Sequence, residues 1–169
     1  IDEKYFKRCD ILDEKSVNEI VKEADIVYNF AGFANLDDAI ANPKKALELN
    51  VMGNLNILEA CKNNNIKRFV YASSAYAMSD KGSFYGISKL TSEKLTEEYY
   101  KKFGLEFTIV RYGSVYGERD YYNNYIYNLL KKSLRTGEIN HNGDGEEIRE
   151  YIHVADVAKL AVDIIKSDK

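Results

Sequence analysis

The sequence contains few residues of the types that bind metals or form disulfides. Its 169 residues include two histidines and two cysteines. The histidines, His141 and His153, show no clustered ligand spacing, so a structural metal site is not expected. The cysteines, Cys9 and Cys61, show no C-x-x-C spacing and lie in apolar-patterned segments. We therefore predict that both are reduced core residues, as is typical of a cytoplasmic protein.

Long apolar runs and basic blocks are also missing. No apolar run approaches the length of a membrane span, and the first residues, IDEKYFKRCD, do not resemble a signal peptide. The formal net charge is −3, and no basic block is longer than two residues. Neither nucleic acid nor a membrane is therefore expected as a partner.

The sequence does contain a regular alternation of strand-like and helix-like segments. Strands are predicted at 5–9, 25–32, 67–75 and 105–113. Helices are predicted at 13–24, from Asn42 to the run KNNN, at 84–103 and from Val154 onward. Such alternation indicates βαβ units and a parallel sheet with helices on both faces. The predicted fold is α/β and doubly wound, and the 45% hydrophobic content suits one domain over 1–169.

Capping signals mark the ends of these helices. Ser16 and Glu19 have the spacing of a capping box. Asn42-Pro43 supplies an N-cap and a first-turn proline for the long second helix, and Gly104 suits the end of the helix at 84–103. The apolar stripe of the second helix is predicted to consist of Leu47, Val51, Leu55 and Leu58.

Small and polar residues follow each predicted strand. Ligands of such folds bind beyond the carboxyl ends of the strands. The residues at these ends are Asp10 and Ile11, Ala31 and Gly32, Ser73 and Ser74, and Tyr112 to Ser114. We therefore expect the binding crevice to lie among these four strand ends.

The pattern Tyr-x-x-x-Lys occurs twice, as Tyr85 and Lys89 in GSFYGISK and as Tyr127 and Lys131 in YNLLK. With 14 tyrosines in the chain, roughly one or two such matches arise by chance. Only the first copy directly follows a strand end, that of Ser73 and Ser74. The second lies in the amphipathic segment 120–136 and is interpreted as a surface pair.

The first copy has the composition of a proton-transfer site. Tyr85 and Lys89 share one helical face because they are four residues apart. A tyrosine with an ordinary pKa of about 10 acts as a base near neutral pH only if its pKa falls by roughly 3 units. An ammonium ~4 Å away supplies about that much at an intermediate dielectric. A serine hydroxyl such as that of Ser74 would then fix the path of the proton.

Five stretches resemble one known family. FVYASSA, YGISK, LNVMGNLNILEAC, RYGSVYGER and GDGEEIREYIHVADVA occur in the order typical of the extended short-chain dehydrogenase/reductases, in the branch of the NAD-dependent epimerase/dehydratase family. The resemblance covers roughly residues 5–161. It implies a Rossmann-like fold, a nicotinamide cofactor (NAD, with NADP as the alternative) and a nucleotide-sugar substrate.

The resemblance also implies roles for particular residues. The catalytic residues would be Ser74, Tyr85 and Lys89. The cofactor-binding residues would be Asp10, Ile11, Phe30, Ala31, Gly32, Asn50, Tyr85, Lys89, Tyr112 and Val115. The substrate-binding residues would be Ser73, Ser74, Ser114 and Arg149. Helices 44–61 and 84–103 resemble the pair that forms a four-helix homodimer contact in this family.

Several of these residues have a structural alternative. Ser73 and Ser74 would also suit a plain strand end, and Asp10 would suit a helix cap near Asp13. Asn50 would suit a bond to backbone carbonyls. Of the remaining two, Phe30 would suit core packing and Arg149 a solvated surface. The sequence alone leaves these alternatives open.

Three departures from the family pattern limit what the resemblance implies. The glycine-rich dinucleotide fingerprint is absent, so we expect the chain to be a piece truncated at both ends and to bind dinucleotide poorly by itself. Only ten residues separate Ser74 from Tyr85. Ser114 and Ala34 replace an asparagine and a lysine found in many epimerases, so no particular sugar is predicted.

The most favoured function from the sequence is an NAD(P)-dependent epimerase, dehydratase or reductase of a nucleotide sugar. Ala75 and Tyr76 follow Ser74 where dehydratases of the family carry an acidic pair, which favours an epimerase or a reductase. The alternatives are a non-catalytic dinucleotide-binding sensor or scaffold on the same fold and a reductase of a non-sugar carbonyl.

Overall fold

The computed structural model describes residues 5–119, 125–140, 144–146, 148 and 150–166. These residues form two compact units, 1–111 and 112–169, which are treated separately below. The first unit carries β1 (Ile26–Asn29), β2 (Arg68–Ser74) and most of β3 (Phe107–Tyr112). Its helices are α1 (Glu14–Val21), α2 (Leu36–Ala41), α3 (Pro43–Leu47), α4 (Gly53–Asn63) and α5 (Ser83–Phe103).

The three strands of the first unit form one sheet in the order β1-β2-β3. β1 and β2 are parallel, with Ile26 opposite Arg68 and Asn29 opposite Tyr71. β2 is central and deeply buried at Phe69, Val70 and Tyr71, as expected for a continuous apolar strand covered on both faces. The predicted parallel α/β architecture is confirmed for this part of the chain.

The strand predicted at 5–9 is wrong. These residues belong to neither sheet, and Tyr5 and Phe6 are exposed. A strand is stable only where a neighbour satisfies its backbone N–H and C=O groups. In the order β1-β2-β3, no described strand lies beside this segment to do so. The residues at 5–9 thus have the composition of a strand, but no described strand forms backbone hydrogen bonds with them.

The capping box predicted for the first helix is also wrong. The N-cap of α1 is Asp13, whose Oδ1 accepts hydrogen bonds from Lys15 N at 3.1 Å and Ser16 N at 3.2 Å. A carboxylate at this position also interacts favourably with the helix dipole, which a serine hydroxyl does not. Val17 and Val21 then pack against α4.

The long second helix contains a π-helical turn that the sequence did not reveal. α3 begins with Pro43 as predicted, continues through the π turn at Glu48–Met52, and passes directly into α4. Asn42 makes no side-chain cap. Because the extra residue of a π turn rotates the helix faces, the buried face differs from the predicted stripe. Of that stripe only Leu58 is fully buried; Asn50, Asn54, Ile57 and Cys61 join it inside.

The helix predicted at 84–103 and the strand after it are confirmed. α5 ends at Gly104, whose φ of 72° is the left-handed conformation that glycine adopts most easily at a helix end. α5 packs against α2, α3, α4 and β2. Cys61 lies in the core as predicted, whereas Cys9 is only half-buried, and both thiols are free.

The second unit is a small parallel pair of strands with two helices. β4 (Ser114–Tyr116) pairs with β5 (Tyr151–His153), and α6 (Tyr125–Thr136) and α7 (Val154–Asp163) accompany them. The imidazole of His153 caps α7 by accepting from Ala155 N at 3.2 Å. Neither helix has a fully buried residue among those described.

The described residues include neither a membrane-spanning helix nor a cluster of metal ligands. No helix in the described ranges is long and apolar enough to cross a membrane. No group of three His, Cys, Asp or Glu side chains within those ranges is placed to hold a metal ion.

Candidate active site

The carboxyl end of β2 places Ser73 and Ser74 directly before the N-terminal turns of α5. Ser74 Oγ accepts a hydrogen bond from Tyr76 N at 3.2 Å, which caps a short 3₁₀ turn at Ala75–Met78. A second 3₁₀ turn, Asp80–Gly82, leads into α5. The ten residues between Ser74 and Tyr85 are therefore two tight turns packed on the helix.

Two glycines allow this close approach. A Cβ at Gly82 or Gly86 would lie 2.4 Å or 2.5 Å from the carbonyl oxygen of Tyr76. Since that oxygen belongs to the backbone, neither position has room for a side chain. The close packing brings Tyr76 against the catalytic tyrosine candidate: the rings of Tyr76 and Tyr85 meet edge to face with centroids 6.5 Å apart.

Tyr85 and Lys89 both point into the protein. Tyr85 is 8% exposed and Lys89 is 6% exposed. Burial raises the pKa of Tyr85, an effect that a hydrogen bond with Ser74 partly offsets. The structure thus brings Ser74 and Tyr85 together as predicted, with the phenol in its protonated form near neutral pH.

Lys89 is held by groups other than the Tyr85 hydroxyl. Its Nζ donates to Ala72 O at 2.8 Å, and it lies 5.0 Å from the ring centroid of Tyr71 and 5.9 Å from that of Tyr85. Burial lowers the pKa of the ammonium to about 8. The predicted tuning of Tyr85 by Lys89 stays a prediction, since the hydrogen bond of Lys89 goes to the strand.

Asn50 ties the segment that follows β1 to α5. Its Oδ1 accepts from Phe33 N at 2.6 Å, and its Nδ2 donates to Phe33 O at 3.0 Å and to Ser88 Oγ at 2.8 Å. Its own carbonyl accepts from Ser92 Oγ at 2.7 Å. Both amide hydrogens are therefore used inside the protein, which favours the structural alternative for this asparagine.

The end of β1 offers an open surface for a ligand. Phe30 is 58% exposed, and Ala31 and Gly32 are also exposed. Gly32 has φ +147°, and a Cβ there would meet Asn50 Oδ1 at 2.4 Å. Asn29, below them, accepts from Ala31 N at 3.0 Å and donates to Asn54 Oδ1 at 2.8 Å. Core packing is thus not the role of Phe30.

The remaining predicted site residues make local contacts, lie in the second unit or lie outside the described residues. Asp10 Oδ1 accepts from Leu12 N at 3.0 Å, and Ile11 O accepts from Asn56 Nδ2 at 3.0 Å. Asp10 therefore forms a local turn rather than the α1 cap, which is Asp13. The three predicted residues Tyr112, Ser114 and Val115 lie in the second unit, Ser114 exposed on β4, and Arg149 lies outside the described residues.

The second Tyr-x-x-x-Lys copy lies on α6. Lys131 is exposed, and its Nζ lies 5.8 Å from the ring centroid of Tyr127. α6 has no fully buried residue among those described. The interpretation of this copy as a surface pair agrees with that placement.

Comparisons with known proteins bear on this geometry. The model of the NAD dependent epimerase/dehydratase family matches residues 1–169. The chain belongs to this family. Among curated relatives, a putative UDP-glucose 4-epimerase of Methanocaldococcus jannaschii is 31% identical over 173 residues, which is 91% of this chain and 56% of the relative. A dTDP-D-glucose 4,6-dehydratase of Dictyostelium discoideum is 28% identical over 95% of this chain and 43% of its own length.

A solved structure shows the same fold. The UDP-glucuronic acid 4-epimerase of Bacillus cereus, in complex with UDP-glucuronic acid and NAD, superposes with a TM-score of 0.86 at 26% identity. The match covers 97% of this chain and 56% of that one. The chain thus spans about half the length of the epimerase/dehydratase relatives it matches.

Sequence reasoning missed one part of the site in this family member. The buried carboxylate of Glu93, on the same face of α5 as Tyr85 and Lys89, contacts Ser73 and Arg111. The spacing of four from Lys89 to Glu93 was a usable signal, because it places an acid on the buried face. Its partners could not be read from spacing, since they lie 20 and 18 residues away.

Proposed function

We propose that the protein is an NAD-dependent epimerase of a nucleotide sugar. The observation that carries the proposal is the burial of Tyr85 and Lys89 on one face of α5, with Tyr85 beside Ser74 at the end of β2. Buried titratable groups with shifted pKa values at strand ends are typical of active sites in α/β folds. Membership of the family supports the same conclusion.

The residues present fit a dinucleotide. The exposed end of β1 provides the aromatic ring of Phe30 and, at Ala31 and Gly32, a backbone with only a methyl group or no side chain, where a ligand could approach closely. Lys89, at the floor of the site, would hold the ribose next to the nicotinamide. NAD supplies the acceptor for a hydride from a sugar carbon and gives the hydride back.

The protein's own residues would handle the proton. Ser74 orients the phenol of Tyr85 and, by its hydroxyl, a sugar oxygen. Burial raises the pKa of Tyr85 and so favours the protonated phenol, which suits donation to the oxygen of a keto intermediate. Removal of a proton from a sugar hydroxyl needs the phenolate, and so needs positive charge near the ring when ligands are bound.

The segment after Ser74 favours an epimerase over a dehydratase. Ala75 and Tyr76 stand at the positions where dehydratases of the family carry an acidic pair, and the ring of Tyr76 packs on Tyr85. An edge-to-face aromatic contact orients the catalytic ring but supplies no carboxylate for the loss of water.

A screen of nucleotide sugars against the full-length protein tests the proposal. UDP- and dTDP-linked hexoses are incubated with protein and NAD, and the sugars are followed by proton NMR. We expect a C4 epimer to form without net production of NADH. Formation of a 4-keto-6-deoxy sugar would instead indicate a dehydratase. NADH-dependent consumption of a carbonyl substrate would indicate a reductase. NAD binding without turnover of any sugar would indicate a sensor; each of these three results would overturn the proposal.

We also propose a homodimer through the helices at 44–61 and 84–103. Large apolar side chains that stay exposed on both helices support it: Leu47 and Met52 on the first, Phe84 and Ile87 on the second. Their burial against a second copy would remove apolar surface from water. Light scattering of the full-length protein should give twice the chain mass, and Ile87→Glu should shift it toward the monomer. A monomer mass for the unaltered protein would contradict the dimer.

A cytoplasmic location stays a prediction.

A further inference from the structure

Glu93 connects the catalytic helix to two strands at once. It lies on α5 one turn after Lys89 and two turns after Tyr85, and it is 1% exposed. Its Oε1 accepts from Ser73 Oγ at 2.5 Å and from Arg111 Nε at 2.9 Å. Its Oε2 accepts from an Nη of Arg111 at 2.6 Å. One carboxylate thus links α5 to the ends of β2 and β3.

The carboxylate is ionised at neutral pH in spite of its burial. Burial opposes ionisation, but hydrogen bonds from Arg111 and Ser73 outweigh it, and the pKa of Glu93 is lowered. The Arg111 side chain is 42% exposed, so the positive partner stays in contact with water. A two-pronged arginine–carboxylate pair is strongly directional. It therefore restricts rotation of α5 about its own axis.

The link to Ser73 matters because Ser74 is the next residue. Lys89 Nζ donates to Ala72 O on the same strand at 2.8 Å, so α5 is tied to the end of β2 at two levels. Two ties between a helix and a strand end fix the phenol relative to the serine hydroxyl. The hydroxyl proton of Ser73 is engaged by Glu93, so Ser73 has no proton to donate to a substrate.

We propose that Glu93 is a positioning residue that holds Tyr85 in register with Ser74. The carboxylate clamps α5 against the carboxyl ends of β2 and β3 through Ser73 and Arg111. The effect on turnover rests on the proposed function, whereas the clamp itself is independent of which sugar is bound.

Glu93→Gln in the full-length protein tests this role. The amide keeps the size of the side chain but loses the charge that Arg111 and Ser73 pair with. We expect kcat to fall about 10- to 100-fold, because misplacement of a reacting group by about 1 Å costs that much. KM and the Kd of NAD should change less than about threefold, because ground-state binding is not touched.

Glu98→Gln is the matched control. Glu98 lies on the same helix, and its ion pair with Lys101 is exposed. We expect its kcat and KM to equal those of the unaltered protein. A kcat for Glu93→Gln equal to that of Glu98→Gln would overturn the proposal.

Two further variants keep the test decisive if Glu93→Gln fails to fold. Arg111→Lys retains a positive charge but not the two-pronged geometry, and Ser73→Ala retains the ion pair. Each should lower kcat by about 3- to 10-fold at constant KM, a partial loss of the same positioning. Unchanged kcat in both variants, or a rise in KM alone for Ser73→Ala, would overturn the clamp and assign Ser73 to the substrate.

Hydrogen exchange separates this proposal from the proposed function. If the unaltered protein turns over no nucleotide sugar, the proposed function fails, but exchange still reports on the clamp. Peptides covering residues 72–76 and 83–87 should exchange faster in Glu93→Gln, or in Arg111→Lys, than in Glu98→Gln. Equal exchange in these peptides would overturn the clamp whatever the activity.

Discussion

The two Tyr-x-x-x-Lys pairs of this chain share a spacing but not an environment. Tyr85 and Lys89 are buried on α5 beside a strand end, with Ser74 next to the tyrosine. Tyr127 and Lys131 lie on α6, where the lysine is exposed and rests over the tyrosine ring. Spacing therefore makes two side chains neighbours, and the surrounding strand end and burial decide whether they can do chemistry.

Burial is the physical difference that matters. It raises the pKa of Tyr85 and lowers that of Lys89 to about 8, so both groups are held closer to their neutral forms. A group in this condition responds strongly to a charge or ligand brought near it. Lys131, by contrast, is exposed, and solvent screens the charges that approach an exposed group.

The largest expected difference between the pairs is in turnover. Tyr85→Phe removes the proton donor but keeps the ring that packs on Tyr76. We expect its kcat to fall about 10²- to 10⁴-fold, the range supplied by a positioned acid or base. Tyr127→Phe is the matched control and should leave kcat unchanged. The measurement is steady-state turnover of the sugar identified in the screen.

Two results would break the comparison. Full activity of Tyr85→Phe would remove this phenol from the mechanism. An equal loss in Tyr127→Phe would show that the copy on α6 has a role that its exposure does not reveal.

A smaller difference between the two pairs is expected in their effect on the stability of the protein. The pKa of Lys89 is about 8 in the folded protein, and that of an unfolded lysine is about 10.4. Between these values the unfolded chain binds more protons, so stability rises as the pH increases from 8 to about 10.4. Below pH 8 the buried charge of Lys89 lowers the free energy of unfolding by at most about 3 kcal/mol.

Lys89→Met should therefore be inactive yet more stable at pH 7. Removal of the buried charge raises the free energy of unfolding, and loss of the hydrogen bond to Ala72 O lowers it by about 1 kcal/mol. The net increase in the free energy of unfolding should be about 1–2 kcal/mol. The gain should shrink at pH 10. Urea unfolding at both pH values measures it, with Lys131→Met as a control that stays within about 0.5 kcal/mol of the unaltered protein. A gain independent of pH would show that the charge of Lys89 is not the cause.

Sequence reasoning recovered the elements whose patterns are local. β2 and α5 were predicted because an apolar run and a helical pattern ending in Gly104 need no distant partner to be recognised. The strand at 5–9 failed for the opposite reason, since a strand depends on a neighbour. The predicted stripe of the second helix was right only at Leu58, because the π turn at Glu48–Met52 interrupts the regular helical period on which the stripe was based.

The candidate site was recovered to a similar extent. Ser74 and Tyr85 were found because they are part of compact motifs, and the structure places them side by side. The bonds among Ser73, Glu93 and Arg111 were not found, because they join three elements that are distant in sequence. Periodicity identifies which face of a helix is buried but not which polar groups on that face meet a partner.

The π-helical turn at Glu48–Met52 has a consequence for how this sequence can change over time. It passes directly into α4, which buries Asn54, Leu58 and Cys61. Loss of one residue from the turn would rotate the following helix by about 100°, so those side chains would face away from the core. Point substitutions on the outer face of α4 leave this arrangement intact. The number of residues in the helix is thus a stricter inherited constraint than the identity of most of them.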